Sequence, residues 1–293
     1  MNRSVWVGLV VLCACRPAEK RASGGGPIKA ATVAGFQTPE SVLWDSAQDV
    51  YFVSNINGAP DAKDGNGYIS RMGPAGMVTD SAFIKGLNAP KGMALVHDTL
   101  WVTDIDQVRA FNARTGAPVA TVPVSGAVFL NDITAAPDGS LYVTDSAIRF
   151  GPKGQEHVGT DQIVRIAPNR TVSVVLKSDS LGRPNGITWD AASQGLIVVS
   201  LGNKNLLALK PGASAPTVIA TGPGGFDGVE ITRDGAMWVS SWADSSVYRY
   251  EHAQGSSLIK GVPSPADIGY DAKRNRILIP VFTGNRVEIW QLQ

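Results

Sequence analysis

The stretch LNDITAAPDGSLYVTD, residues Leu130–Asp145, contains two short apolar runs on either side of a turn at Pro137–Gly139. The second run, LYVTD, is rich in the β-branched and aromatic residues that favour strands. Asp and Gly between two such runs indicate a tight turn. The stretch therefore predicts a pair of antiparallel strands, the first of which starts with a polar residue, Asn131.

Five further segments of the chain share this pattern of a polar head, a short strand, a turn and a second strand. The six copies are PESVLWDSAQDVYFVS (39–54), PKGMALVHDTLWVTD (90–104), LNDITAAPDGSLYVTD (130–145), PNGITWDAASQGLIVVS (184–200), FDGVEITRDGAMWVSS (226–241) and PADIGYDAKRNRILIPV (265–281). A third strand follows each copy, and a fourth follows five of them. Groups of four strands that recur along a chain in this way are typical of the blades of a β-propeller.

The repeats predict an all-β fold, a six-bladed β-propeller of four-stranded antiparallel blades over residues 28–293. The sixth copy ends after its third strand, RVEIWQL. The segment IKAATVAGF (28–36) precedes the first copy just as the fourth strands precede the other copies. We therefore expect this N-terminal strand to complete the last blade and close the ring, which removes the open sheet edges.

The N-terminus predicts export. Arg3 is followed by an apolar run over Val5–Leu12, so residues 1–14 are interpreted as a signal peptide. Leu12–Cys15 resembles a bacterial lipobox, whose last cysteine is lipidated; the alternative is a plain secretory peptide. Residues 15–27 then form a lipid-anchor tether. On this interpretation the protein is exported, an envelope lipoprotein that meets the membrane through its N-terminal anchor only.

The charge balance argues against a nucleic-acid partner. The 26 basic and 25 acidic residues give a net charge of +1, and no basic stretch has the density of a nucleic-acid footprint. No Gly-rich phosphate loop opens a helix after a strand. The sequence therefore predicts no nucleic-acid partner, and it gives no information on the oligomeric state.

The polar heads predict a ring at one mouth of the central channel, because the first strand of each blade lines the axis. The heads are Glu40, Lys91, Asn131 beside Asp132, Asn185, Asp227 and Ala266. Buried carboxylates and amides need compensation, and a hard divalent cation such as Ca²⁺ supplies it; Zn²⁺ and Mn²⁺ are the other candidates. The alternative is that these side chains bond to one another and to channel water.

Five motifs carry a resemblance to a known family. TPESVLWD (38–45), YFVSNINGA (51–59), LNDITAAPDGSLYVTDS (130–146), RPNGITWD (183–190) and FDGVEI (226–231) resemble the senescence-marker-protein/gluconolactonase/luciferin-regenerating-enzyme-like family, which is related to paraoxonases. The resemblance covers residues 36–293. It implies six blades and one catalytic divalent cation, with metal ligands at Glu40, Asn185 and Asp227. Asn131, as a further ligand, and Asp132, at the substrate rim, match the asparagine–aspartate pair of the paraoxonase-like site.

The resemblance implies a metal-dependent hydrolase that opens a lactone or a similar ester, with Asp227 as the general base that activates water. The alternative is a non-catalytic propeller that binds a ligand or a protein, with a structural metal or none. Two further groups are candidates for the rim. His157 lies in the long loop of blade 3, and it either reaches over the mouth of the channel or is a solvated loop residue. Trp242 and Phe282 form either an apolar wall for the substrate or packing between blades.

Lys91 departs from the family pattern. Paraoxonase-like relatives have P-H-G at this position, with a histidine implicated in catalysis, whereas this chain has P-K-G. Three arrangements are open. Lys91 pairs with an acid such as Glu40 or Asp132 beside a bound metal, it has a depressed pKa and is itself catalytic, or its charge replaces the metal.

Overall fold

The computed structural model describes Met1 and residues 25–293. Apart from Met1, the predicted signal peptide and most of the predicted tether lie outside the described residues. In this part of the chain no helix is long and apolar enough to span a membrane.

The chain forms a six-bladed β-propeller, as predicted. Blade 1 consists of β2 (Pro39–Asp45), β3 (Val50–Asn55), β4 (Gly67–Met72) and β5 (Val78–Leu87). Blade 2 consists of β6 (Pro90–Val96), β7 (Thr99–Asp104), β8 (Gln107–Asn112) and β9 (Pro118–Pro123). Blade 3 consists of β10 (Leu130–Ala135), β11 (Leu141–Asp145), β14 (Gln162–Ile166) and β15 (Val172–Lys177), with an inserted hairpin of β12 (Ile148–Gly151) and β13 (Gly154–His157).

The second half of the ring repeats the plan. Blade 4 consists of β16 (Pro184–Asp190), β17 (Gly195–Ser200), β18 (Asn205–Leu209) and β19 (Thr217–Thr221). Blade 5 consists of β20 (Phe226–Ile231), β21 (Met237–Ser241), β22 (Ser246–Glu251) and β23 (Gln254–Lys260). Blade 6 consists of β24 (Gly269–Asp271), β25 (Arg276–Val281), β26 (Arg286–Gln291) and β1 (Ile28–Ala34). Short 3₁₀ turns span Asp179–Leu181 and Phe282–Gly284.

The N-terminal strand closes the ring, which confirms the prediction. β1 pairs antiparallel with β26, from Ile28 opposite Gln291 to Ala34 opposite Arg286. Lys29 adds an ion pair with the buried Glu288, at 2.8 Å. Around the axis, the first strands contact one another in the closed order β2–β6–β10–β16–β20–β24–β2. The channel is therefore lined by the first strands.

The hydrophobic core is divided into one cluster at each interface between neighbouring blades. At the first interface, for example, Phe52 and Ile69 of blade 1 pack with Leu100 of blade 2. Burying a side chain of this size stabilises the fold by about 1.5–3 kcal/mol. Because every first strand is fixed by packing on both sides, the ends of these strands form a rigid frame for a site.

Candidate functional site

The polar heads are placed by a bulge that recurs at the start of the first strands. In blades 1 to 5 the pairing register shifts between the residue before the head and the residue two positions after it, as between Leu130 and Ile133. The head and its successor are therefore left out of the ladder with the second strand. Bulges bend a strand and re-aim a side chain, and they are frequent beside active sites.

Hydroxyl groups of the second strands hold the heads of the following blade. Thr103 donates to the carbonyl oxygen of Asn131 at 2.5 Å, and Thr144 donates to that of Asn185 at 2.6 Å. Ser240 makes the same bond to Ala266 at 2.8 Å. Sequence analysis missed these residues. Their signal was the Thr or Ser that recurs at one position of the second strands, in VTD and VSS.

The aspartate that ends two of the second strands has a structural task. Asp104 Oδ1 accepts the backbone N–H of Ala89 at 2.9 Å, and Asp145 Oδ1 accepts that of Phe129 at 2.8 Å. Each buried carboxylate thus fixes the loop that leads into the head of its own blade. These charge-assisted bonds keep the two acids out of the channel.

The residue after the head faces the neighbouring blade rather than the mouth. A Cβ atom on Gly92 would lie 2.6 Å from the Cα of Asp132, and one on Gly186 would lie 2.3 Å from the carbonyl oxygen of Asp227. Real Cβ atoms do not approach other atoms so closely. Glycine at these two positions therefore allows the close approach of the first strands that builds the ring.

A cavity of about 500 Å³ opens at the mouth that the heads surround. Its floor is polar, its walls are largely aromatic or aliphatic, and two longer polar side chains stand at its rim. The lining residues are Glu40, Lys91, Asn131, Asn185 and Asp227 on the floor, Ile56, Pro60, Phe129, Ile148, Phe150, Leu201, Trp242 and Phe282 on the walls, and Gln155 and Arg183 at the rim. The structure thus brings five of the seven predicted site residues together.

Four of the floor residues leave one oxygen atom each without a hydrogen-bond partner. Within residues 25–293, these buried atoms are Glu40 Oε2, Asn131 Oδ1, Asn185 Oδ1 and Asp227 Oδ1. A buried polar atom without a partner costs about 1–3 kcal/mol, so four in one cavity require an explanation. Carboxylate and amide oxygens are the ligands that Ca²⁺ prefers, and these four residues are the predicted metal ligands.

The two floor carboxyl groups have strongly perturbed pKa values. Burial raises the pKa of Glu40 well above its usual range, and repulsion from Asp227 and Asp267 raises it further, although Lys91 acts in the opposite direction. Burial also raises the pKa of Asp227, and Asp267 adds to the effect. Without a cation, the floor therefore disfavours its own ionised form.

Lys91 is buried, with 1% of its surface exposed, and lines the cavity beside Glu40. Its ammonium group donates to the carbonyl oxygen of Ala89 at 3.1 Å and lies 4.1 Å from the ring centroid of Phe129. In the described part of the chain it forms no ion pair with Glu40 or Asp132. Burial lowers the pKa of Lys91 to about 8, against the opposing pull of Glu40.

Asp132 does not lie at this mouth, contrary to the prediction that placed it at the substrate rim. Its carboxylate accepts the backbone N–H groups of Ile133 and Ile187, at 2.6 and 2.7 Å, and faces a second, smaller cavity further along the first strands. The physical reason is strand alternation, because neighbouring residues point to opposite sides. Asp132 links blade 3 to blade 4.

His157 also lies outside the lining of the cavity, although its hairpin reaches the mouth. Ile148, Phe150 and Gln155 of the β12–β13 hairpin line the cavity. The His157 ring bonds to Asp161 Oδ1 at 2.8 Å, at the base of the hairpin. His157, which was predicted at the substrate rim, is therefore not among the residues that line the cavity.

His157, Asp161 and Asp179 bring their ligand atoms within 4.8 Å of one another. This group differs from the floor because Asp161 is already bonded. Its Oδ2 accepts the backbone N–H of Arg183 at 2.5 Å, while its Oδ1 meets His157. We interpret the group as a structural contact that links the β12–β13 hairpin to the loop that precedes β16 of blade 4.

Comparison with known proteins gives one family and a consistent fold. Residues 38–268 match the family model described as the SMP-30/gluconolactonase/LRE-like region, which is more than half of the chain. No curated protein matches the chain in sequence.

Three solved structures share the fold at low identity. The first, whose gluconolactonase function is a provisional assignment, has a TM-score of 0.72 at 17% identity and covers 93% of each chain. A luciferin-regenerating enzyme has a TM-score of 0.71 at 15% identity, over 91% of this chain and 95% of that one. A gluconolactonase from Xanthomonas campestris has a TM-score of 0.67 at 18% identity, over 96% and 100%. On the family match and this shared fold, the chain belongs to the SMP-30/gluconolactonase/LRE-like family.

Proposed function

We propose that this protein is a divalent-cation-dependent hydrolase that opens a lactone or a similar ester in the head cavity. The observation that carries the proposal is the set of four buried oxygens without partners, one each on Glu40, Asn131, Asn185 and Asp227. Membership of a family that includes gluconolactonases supports hydrolysis of this type. Ca²⁺ is the favoured ion because all four donors are hard oxygens.

The residues of the floor would divide the work. Glu40, Asn131, Asn185 and Asp227 would hold the ion, which when bound supplies Lewis acidity toward a carbonyl oxygen. Asp227 is the proposed general base, because its carboxylate lines the floor of the cavity and has an oxygen atom without a partner that can accept a proton from water. Its proton would then pass to the alkoxide that leaves as the ring opens.

Lys91 has a second proposed role. Its position in the cavity and its lowered pKa suit a donor that stabilises negative charge on the substrate, and the ring of Phe129 stabilises its ammonium group. This role corresponds to the second of the three possibilities open from the sequence, since Lys91 forms no ion pair with Glu40 or Asp132 within the described residues. The third, in which the lysine charge replaces the metal, is tested by the experiment below.

The experiment measures metal and turnover in the same preparation. The protein is dialysed exhaustively against chelator, and Ca²⁺ binding is followed by calorimetry. Hydrolysis of aliphatic, sugar and homoserine lactones is then measured with and without added Ca²⁺. We expect one Ca²⁺ per chain and turnover that requires it. A protein that binds no ion and turns over no lactone is instead a non-catalytic binding propeller with Lys91 as its internal cation.

We also propose that the chain is exported and carries an N-terminal lipid anchor. The support is the apolar run Val5–Leu12 followed by the lipobox-like Leu12–Cys15. In a bacterial host, fatty-acid label on the protein should disappear in Cys15→Ser. A protein that is secreted without label from the unaltered sequence contradicts the anchor.

A further inference from the structure

Two pairs of aromatic side chains form much of the cavity wall. Phe129 and Phe150 of blade 3 lie with ring centroids 5.7 Å apart, and Trp242 and Phe282 of blades 5 and 6 lie 5.3 Å apart. All four line the same 500 Å³ space above the floor. Cavities of this size and lining bury most of the surface of a ligand of moderate size.

The polar groups above the floor are few, and two of them already bond to each other. Arg183 Nη1 donates to Gln155 Oε1 at 3.2 Å. The indole N–H of Trp242 is a further donor of the walls, and it lies close to the carboxyl group of Asp227, whose pKa it lowers. A sugar lactone presents several hydroxyl groups, and each one that is buried without a hydrogen bond weakens binding. The walls therefore disfavour a polyhydroxylated ligand.

Phe150 is an exposed aromatic residue, at 41% exposure, held at the edge of this cavity. Its backbone N–H donates to Asp61 of the long loop of blade 1 at 2.9 Å, so two loops meet where it stands. Pro60, next to Asp61, also lines the cavity. Phe150 thus extends the apolar wall of the cavity to its edge, where a ligand can contact the ring.

We propose that the substrate of this site is a lactone or ester with a large apolar acyl or aryl substituent, and that the Phe129–Phe150 and Trp242–Phe282 walls bind this substituent. The substituent would lie against the walls while the carbonyl group reaches the polar floor. This inference rests on the proposed function for the chemistry, but the binding of the apolar group can be measured without turnover.

The test compares ligands that differ only in apolar length. δ-Lactams with unbranched alkyl groups of two to ten carbons resist hydrolysis, and their affinity is measured by calorimetry in the presence of Ca²⁺. Each methylene that enters the walls should tighten binding by about fourfold until the cavity is filled. In parallel, kcat/KM is measured for the matching alkyl δ-lactones and for glucono-δ-lactone, and it should rise with chain length and be lowest for the sugar.

A matched pair of variants assigns the effect to the wall. Phe150→Ala should reduce the increase in affinity per methylene for the longer ligands. Because Phe150 is exposed, we expect the variant to fold normally, and thermal unfolding measures this. Val174→Ala, an exposed apolar residue on β15 of the same blade, should leave the chain-length dependence unchanged. Equal chain-length dependence in wild type and Phe150→Ala would remove Phe150 from the wall.

The outcomes separate the two proposals. Lactams that fail to bind, or that bind with no dependence on chain length, overturn the apolar substrate class. Turnover of glucono-δ-lactone that exceeds that of every alkyl lactone also overturns it, while the hydrolase proposal stands. Chain-length-dependent lactam binding without turnover of any lactone keeps the apolar ligand class and rejects hydrolysis.

Discussion

Two cavities lie along the same ring of first strands, and both contain buried acids. In the head cavity, Glu40 and Asp227 each leave an oxygen without a partner within the described residues. In the smaller cavity, of about 170 Å³, Asp132 accepts two backbone N–H groups, and Asp267 accepts the hydroxyl group of Ser41 at 2.5 Å. Burial is similar, but the protein itself satisfies the acids of only one cavity.

This difference shows that the hydrogen bonds of a buried acid, more than its burial, indicate whether the acid is structural or binds a ligand. Asp132 and Asp267 connect neighbouring blades, so their carboxylates are part of the ring's construction. By contrast, Glu40 Oε2 and Asp227 Oδ1 have no hydrogen-bond partner in the described chain, which is expected of atoms that bind a ligand.

The largest expected effect is on turnover. Asp227→Asn keeps the size of the side chain but removes the proposed base, so kcat should fall by roughly 10²–10⁴-fold. Glu230→Gln, which alters the smaller cavity, should leave kcat within about threefold of wild type. The comparison fails if the two variants lose activity equally, because the smaller cavity would then share in catalysis.

A smaller effect is expected on stability with Ca²⁺. An ion at one hundred times its dissociation constant stabilises the fold by about 2.7 kcal/mol, which is a rise in Tm of about 5–10 °C at this size. Glu40→Gln should lose most of this rise, and Glu230→Gln should keep it. Differential scanning calorimetry with and without Ca²⁺ measures both. A full Ca²⁺ response in Glu40→Gln would place the ion elsewhere.

The smallest predicted effect concerns Lys91 and pH. The folded-state pKa of Lys91 is lowered from 10.5 to about 8, so between these values the folded protein binds fewer protons than the unfolded chain. Stability should therefore rise with pH in this window, by about 2 kcal/mol from pH 8 to pH 10. The acids that oppose the shift are Glu40, Asp104 and Asp61.

Lys91→Met keeps the length and the contact with Phe129 but removes the charge, so this rise should be absent in the variant. Urea unfolding at pH 8, 9 and 10 in the presence of chelator provides the measurement. Parallel pH profiles for the two proteins would show that Lys91 remains an ordinary lysine in the folded state.

The sequence predicted the ring well because repeats report on architecture directly. Six copies of one strand pair gave the blades, and the missing fourth strand of the last copy correctly predicted the pairing of β1 with β26. The bulge at the heads was not predictable, since it depends on how each first strand meets its neighbours. The position of Asp132, by contrast, was predictable. Neighbouring side chains in a strand point to opposite faces, so Asp132 and Asn131 are not expected at the same mouth.

The surroundings of Lys91 could not be predicted for a physical reason. Its principal side-chain contact, Phe129, comes from the next blade and from a loop that Asp145 positions. Such a contact depends on the angle between two sheets, which no local pattern encodes. The same holds for the meeting of Phe150 and Asp61, which joins loops of blades 1 and 3.

The pairing of the first strand with the last also sets a condition on how the protein is made. Ile28 finds its partner only when Gln291 has been synthesised, so β1 stays unpaired until all the other blades have been made. Until β1 and β26 pair, the free edge of each strand can join other chains. Truncation near the C-terminus would therefore convert a closed ring into an aggregation-prone open one, even where it removes nothing from the head cavity.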